Sequence, residues 1–227
     1  MSYNIAVIIT GDIRDKDTFD MVKSQFDRFD IFCGSYVKHS DLLEDFGKSR
    51  YLCLIDPNND IYPPNNIPKE NMQQNMLQWL HLNNLISNYK SQLVKYDIVL
   101  KYRFDTIIKG RNDYFSLLST IQNIKENHLY NQSDLVFFAE PNTFIKLFEN
   151  FYHQFISATF LHKNNYDGSF EKSWKSEPSF LKNMQHHNVV NANLPFVVQI
   201  IRGSYKKVTA DSNKKLYKNN TMYGKFS

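Results

Sequence analysis

Short, nearly continuous apolar runs alternate along this chain with stretches in which apolar residues recur every three or four positions. Ile5-Ala6-Val7-Ile8-Ile9-Thr10 is of the first kind, as expected of a strand covered on both faces in a parallel sheet. Thr18 to Phe29 is of the second, with Phe19, Val22, Phe26 and Phe29 on one side, which predicts a helix. Asp30-Ile31-Phe32-Cys33-Gly34 and Tyr51-Leu52-Cys53-Leu54-Ile55 predict the next two strands. The early strand–helix–strand order with short links favours a right-handed parallel unit. The Pro- and Asn-rich piece from Pro57 to Pro68 suits neither helix nor sheet and reads as a surface loop.

The longest helical pattern runs from Asn71 to Lys90, where Met72, Met76, Leu77, Trp79, Leu80, Leu85, Ile86 and Tyr89 form a broad apolar face. Gln73, Gln74 and Gln78 stay polar in its first half. A strand is predicted at 97–102, a short helix from Phe115 to Ile124, and another strand from Asp134 to Ala139. Phe144, Leu147, Phe148, Phe151 and Phe155 place a second strongly periodic helix near 142–158. Leu161 to Lys175 reads as a long ordered loop. Ser176-Glu177-Pro178 reads as a helix start, with Pro in the first turn where its missing N–H does no harm. A last strand is predicted from Phe196 to Ile201, followed by Arg202. The pattern as a whole predicts one α/β domain over residues 1–203, with a mostly parallel central sheet flanked by helices. Residues 204–227 read as a basic tail or flap, either solvated or facing an anion.

Composition narrows the function classes. In 227 residues, 42% hydrophobic with 18 Phe and 14 Tyr, there is ample material for a core, which excludes wholesale disorder. The net charge of +4 is spread thinly until the tail; it gives no basis for a nucleic-acid partner and favours an anionic small molecule. Cys33 and Cys53 fall within predicted strands and read as small core residues, not a disulfide. No Cys/His spacing suggests zinc. The first residues lack the basic region and long apolar run of a signal peptide, and no apolar stretch is long enough to span a bilayer. The cytoplasm is the expected location.

Candidate chemistry gathers at strand ends. In an open α/β sheet, ligands bind outside the carboxyl ends of the strands. The first strand runs into Gly11-Asp12-Ile13-Arg14 and the 97–102 strand into Arg103-Phe104-Asp105. Gly11 permits close backbone approach or positive φ, and Arg14 offers a guanidinium fork for phosphate. Arg103 and Asp105, two residues apart, share one side of an extended chain. They read equally as a phosphate site with its counter-ion and as an ion pair closing a strand. One glycine after the first strand is not a dinucleotide fingerprint.

Taken together, these motifs resemble nucleotide-sugar glycosyltransferases of the GT-A type. The likeness is to small lipopolysaccharide and surface-polysaccharide transferases of bacteria and large DNA viruses. It is carried in order by Gly11-Asp12-Ile13-Arg14, Asp30-Ile31-Phe32, the Gln-bearing helix, Arg103-Phe104-Asp105, Asp134-Leu135-Val136-Phe137-Phe138, Ser176-Glu177-Pro178 and Arg202. It implies a nucleotide-sugar donor, a glycan acceptor and transfer to a hydroxyl. On this resemblance Gly11, Asp12 and Arg14 meet the nucleotide or pyrophosphate, and Gln74 faces the donor. Arg103-Phe104-Asp105 stands where such enzymes carry an Asp-x-Asp motif. Its first acid is here an arginine, so either Asp105 alone holds Mg²⁺ or Mn²⁺ with the diphosphate, or Arg103 itself neutralises the phosphate. Glu177 and Asp105 are the implied catalytic acids, Glu177 as the base; an acid at a helix start is also favoured by the helix dipole alone. His186 and His187 read as a surface pair at a helix end rather than metal ligands. Trp79 reads as core, while Trp174 suits either sugar stacking or packing. Two other readings stay open: a nucleotidyltransferase, poorly served by a turn without a Gly-rich loop and Lys, and a non-catalytic nucleotide-sugar-binding module.

Overall fold

The computed structural model describes residues 3–44, 46, 50–57, 74–108, 117, 119–132, 134–155, 176–194 and 198–200. Strand β1 is Ile5–Thr10, followed by helix α1 (Lys16–Phe26), β2 (Asp30–Tyr36), α2 (Ser40–Leu43) and β3 (Arg50–Ile55). Helix α3 (Gln74–Leu93) leads into β4 (Ile98–Arg103) and β5 (Thr106–Ile108). The hairpin of β6 (His128–Gln132) and β7 (Val136–Ala139) comes next, then α4 (Pro141–Phe148), α5 (Ser176–His186), β8 (Val190–Asn193) and β9 (Val198–Ile200).

Seven strands form one sheet in the order β3-β2-β1-β4-β7-β6-β8. Strands β3, β2, β1 and β4 are mutually parallel; β7 runs antiparallel to both β4 and β6, and β8 is parallel to β6. The fold is therefore α/β with a mixed, mostly parallel sheet, in which β1 and β4 are neighbours. Alternation in β1 explains its unbroken apolar run. Ala6 and Ile8 join the core under α3 and α4, with Phe32, Trp79, Leu85, Val99, Phe137 and Phe148. Ile5, Val7 and Ile9 join the opposite core with Phe19, Val22, Phe26, Ile98 and Leu100. A strand buried on both faces has no polar side to show.

Helix α1 is capped at Asp15, whose carboxylate accepts from the backbone N–H and hydroxyl of Thr18. That cap, one residue beyond Arg14, sets where the loop after β1 ends. Helix α3 lies close against β2, where a Cβ on Gly34 would sit 3.0 Å from His81 Cβ and from Leu85 Cδ1. Trp79 is buried as expected, and Cys33 and Cys53 are buried thiols that form no disulfide with each other.

Three expectations are corrected. The strand foreseen at 196–201 is observed as Val198–Ile200, but it pairs with β5 in a separate two-stranded antiparallel sheet, Thr106 opposite Ile200. The chain turns out of line with β4 at Phe104–Asp105, so β5 presents an edge that β9 covers. The strand expected from Asp134 begins at Val136, because Leu135 N–H bonds back to the Gln132 carbonyl and closes the β6–β7 hairpin. Helix α1 starts earlier and ends earlier than the periodicity implies, since Asp15 caps it and Phe29 is already in the turn to β2. The loops at 58–68 and 161–175, Trp174 and the tail from 204 lie outside the described residues.

Candidate functional site

Strands β1, β2 and β3 step outward in one direction, while β4 lies on the other side of β1. The strand order therefore reverses between β1 and β4, the topological switch point where an open α/β sheet leaves a crevice. The two strands end level, with Thr10 paired to Arg103. The turn after β1 and the corner after β4 meet over that crevice. Gly11 takes φ +124°, in the left-handed region, with open space where a Cβ would stand. Its N–H donates to the Gly34 carbonyl and its carbonyl accepts from Ser35 Oγ at 2.8 Å, tying the turn to β2.

At the end of β4, Arg103 grips Asp105 with two parallel hydrogen bonds of 2.8 Å, Nε to one carboxylate oxygen and a terminal nitrogen to the other. Arg14 approaches the same carboxylate at 3.8 Å, its own side chain one-third exposed. Two guanidiniums thus converge on one acid that is itself largely buried. The pairing strengthens the hold of Arg103 on its proton against the cost of burial.

Beneath them lies a network that sequence reasoning missed. Gln78, on α3, accepts from Arg103 at 3.3 Å and donates to Asp134 at 2.7 Å. Asp134 stands 3.9 Å from Arg103. Lys101, fully buried and two residues before Arg103, donates to the Asp134 backbone carbonyl at 2.7 Å, its ammonium near the Trp79 and Phe137 rings. Burial, helped by the Arg103 charge, pulls its pKa down to about 7, while Asp134 and Asp105 oppose the shift. The signal was present: a lone Lys between Leu100 and Tyr102, on the face of the strand that also carries Arg103.

Asp12 turns toward the other side of the crevice. It lies 2.7 Å from His39 Nε2 and 2.9 Å from Lys38 Nζ. An ionised carboxylate only accepts, so Nε2 of His39 carries the hydrogen in that pair. Burial alone would raise the Asp12 carboxyl, but the bonds from His39 and Lys38 outweigh it and hold its pKa below the ordinary value. Beside it, burial and the Asp12 charge push Tyr36 up to about 12 against the pull of Arg14. His81 packs edge-on to the Tyr36 ring at 5.0 Å, fully buried, and neither of its ring nitrogens has a hydrogen-bond partner among the described residues.

Of the residues expected at the site, Gly11, Arg14, Arg103 and Asp105 are brought together, and Asp12 flanks them. Gln74 is the first residue of α3 and Glu177 the second of α5, but their side chains lie outside the described set. His186 is exposed in the last turn of α5, edge-on to His187, a surface pair. Among the described residues, no group of three or more His, Cys, Asp or Glu side chains could hold a metal. The surroundings of Asp105 do not fit a divalent cation. Both its oxygens already bind one guanidinium, and a second lies 3.8 Å away. A divalent cation about 4 Å from each guanidinium would be repelled by about 8 kcal/mol per pair at an effective dielectric of ~20, twice the figure for two unit charges.

No family model matches the chain, and no curated protein does. Among solved structures it is similar to the glycosyltransferase GlyE of Streptococcus pneumoniae TIGR4, with 14% identity and a TM-score of 0.47, over 86% of this chain and 46% of that one. It is also similar to the galactosyltransferase LgtC in complex with donor and acceptor sugar analogs, with 10% identity and a TM-score of 0.37, over 83% and 73%. A third is the bifunctional glycosyltransferase WbbM, with 11% identity and a TM-score of 0.38, over 85% and 39%. The chain thus spans less than half the length of GlyE or of WbbM.

Proposed function

We propose that this protein is a glycosyltransferase that takes a sugar from a nucleotide-diphosphate donor and passes it to a hydroxyl of a glycan acceptor. The observation that supports this most directly is the meeting of Arg14 and Arg103 at the switch point between β1 and β4. Two cationic forks above a parallel sheet suit a diphosphate, which is held best by bidentate guanidinium contacts. Gly11, with no side chain and positive φ, lets the donor come close to the backbone.

In the transfer, the acceptor oxygen forms a bond to the anomeric carbon as the bond to the β-phosphate oxygen breaks. The electron pair leaves with the diphosphate, and the acceptor proton goes to a base. The developing charge on the diphosphate is where fixed cations lower the barrier. Arg103 is held in place before any donor arrives, by Asp105 on one edge and Gln78 on another. In an inverting reaction Glu177, at the start of α5, is the candidate base. Residues 1–203 make up the proposed catalytic unit.

A binding module without catalysis is the second reading, favoured by the arginine in place of the first acid of the expected motif. A thermal-shift comparison of UDP-, GDP- and dTDP-sugars with a CMP-sugar tests the donor class. A ligand at a hundred times its Kd adds about 2.7 kcal/mol, several degrees for a chain of this size. At least one diphosphate sugar should raise Tm and the monophosphate-linked CMP-sugar should not. No shift with any diphosphate sugar would refute the donor reading. Slow release of free sugar from the donor that binds separates an enzyme from a binding module.

A further inference from the structure

We infer that the cleft neutralises the diphosphate with Arg14 and Arg103 instead of a divalent metal, and that Asp105 serves to aim Arg103. The inference rests on the donor-site reading above and adds to it how the charge is balanced.

The geometry assigns Asp105 this part. A metal ligand needs lone pairs facing the ion at about 2.0–2.6 Å, whereas each Asp105 oxygen accepts from Arg103 at 2.8 Å. That paired contact fixes the plane of the guanidinium, which a single bond would leave free to swing. A third point of the same group is held by Gln78, and Gln78 is itself pinned by Asp134, both of them buried. Arg103 is therefore set in position by three hydrogen bonds to two groups, Asp105 and Gln78. Arg14, on the other wall, faces the same acid from a partly exposed position. The arginine at the place of the first acid then replaces the metal's task, and Asp105 is a positioning residue.

Calorimetry with inorganic pyrophosphate, UDP, GDP and dTDP, each in EDTA and in Mn²⁺ or Mg²⁺, tests this without relying on turnover. Pyrophosphate or one of the diphosphates should bind in EDTA with a Kd within twofold of that in metal. Arg103→Ala and Arg14→Ala should each weaken that binding at least tenfold. Arg103→Lys, which keeps the charge and loses the fork, should weaken it nearly as much. Asp105→Asn should still bind in EDTA. If Arg103→Ala does not fold, as circular dichroism would show, Arg14→Ala at its more exposed position carries the comparison. Binding that appears only with the metal and disappears in Asp105→Asn overturns the inference and leaves the donor-site reading intact. Binding in EDTA that neither arginine variant weakens also overturns it. If no diphosphate binds in either condition, the donor-site reading fails along with it.

Discussion

Thr10 and Arg103 face each other across the last rung of the β1–β4 ladder. Because the two strands stop at the same level, the turn after one and the corner after the other open onto the same space. Residues far apart in sequence, Arg14 and Arg103, therefore reach a single carboxylate.

Arg14→Ala should weaken nucleotide-sugar binding by about 1.5–3 kcal/mol, the scale of a charge-assisted hydrogen bond. Its side chain is one-third exposed, so the melting temperature without ligand should move little. Titration calorimetry checks the first point and a thermal melt the second. An unchanged Kd would put Arg14 outside the site.

Gln78→Leu should destabilise the fold by about 1.5–3 kcal/mol. It removes the donor to the buried Asp134 carboxylate and the acceptor for Arg103 at once, and a buried charged group that loses a hydrogen bond does so at a cost in stability. The midpoint of urea unfolding should fall without a change in slope.

The two glycines near the cleft should fail for different reasons when changed to alanine. At Gly34 the new Cβ meets His81 and Leu85 at 3.0 Å, an overpacking cost of about 1–3 kcal/mol. At Gly11 there is room, but φ is +124°, and an L-residue there carries strain on the order of 1–3 kcal/mol. Denaturant midpoints should fall for both. A second-site Leu85→Ala change removes the Cδ1 that the new Cβ meets, so it should cost less in Gly34→Ala than in the wild type and no less in Gly11→Ala.

The pH dependence of stability should carry the mark of His81. Burial lowers its pKa from 6.5 to about 4, against a small opposite pull from Asp12. Between those values the unfolded chain binds a proton that the folded one refuses, so stability drops as pH falls through this window. The full effect is roughly 3 kcal/mol, at ~1.36 kcal/mol per pH unit. It is present above pH 6.5 and gone near pH 4. Urea unfolding at about pH 7, 5.5 and 4.5 should show the decline, and His81→Leu should flatten it. An equal slope in that variant would assign the decline to carboxylates elsewhere.

The four parallel strands and α3 are legible in the sequence because burial on both faces leaves uninterrupted apolar runs, as in Ile5–Thr10. Strand β8, Val-Asn-Ala-Asn and mostly exposed at the sheet's edge, carries no such mark. Strand β6 alternates buried and half-buried residues with polar side chains among them, so its sequence does not stand out from a linker. At the site, Gly11, Arg14, Arg103 and Asp105 can be found because strand ends announce themselves. Gln78, Asp134 and Lys101 cannot be grouped, since their meeting depends on α3 crossing the sheet at one height. Spacing within a segment carries no record of that height. Nor can β9 be assigned to its own sheet, because an apolar run of three residues says nothing of which edge it will join.

The small β5–β9 sheet places a mechanical condition on the site. Asp105 sits in the corner between the last residue of β4 and the first of β5, leaving almost no slack on either side. Its carboxylate is therefore suspended between two sheets, like a knot tied to two posts. One post is the rigid seven-stranded platform. The other is a ribbon of two three-residue strands, closed by Val198–Ile200 from far along the chain. The chain near residue 200 thus helps tension a group more than ninety residues earlier, and a slip of one rung in that ribbon would tilt the acid that orients Arg103.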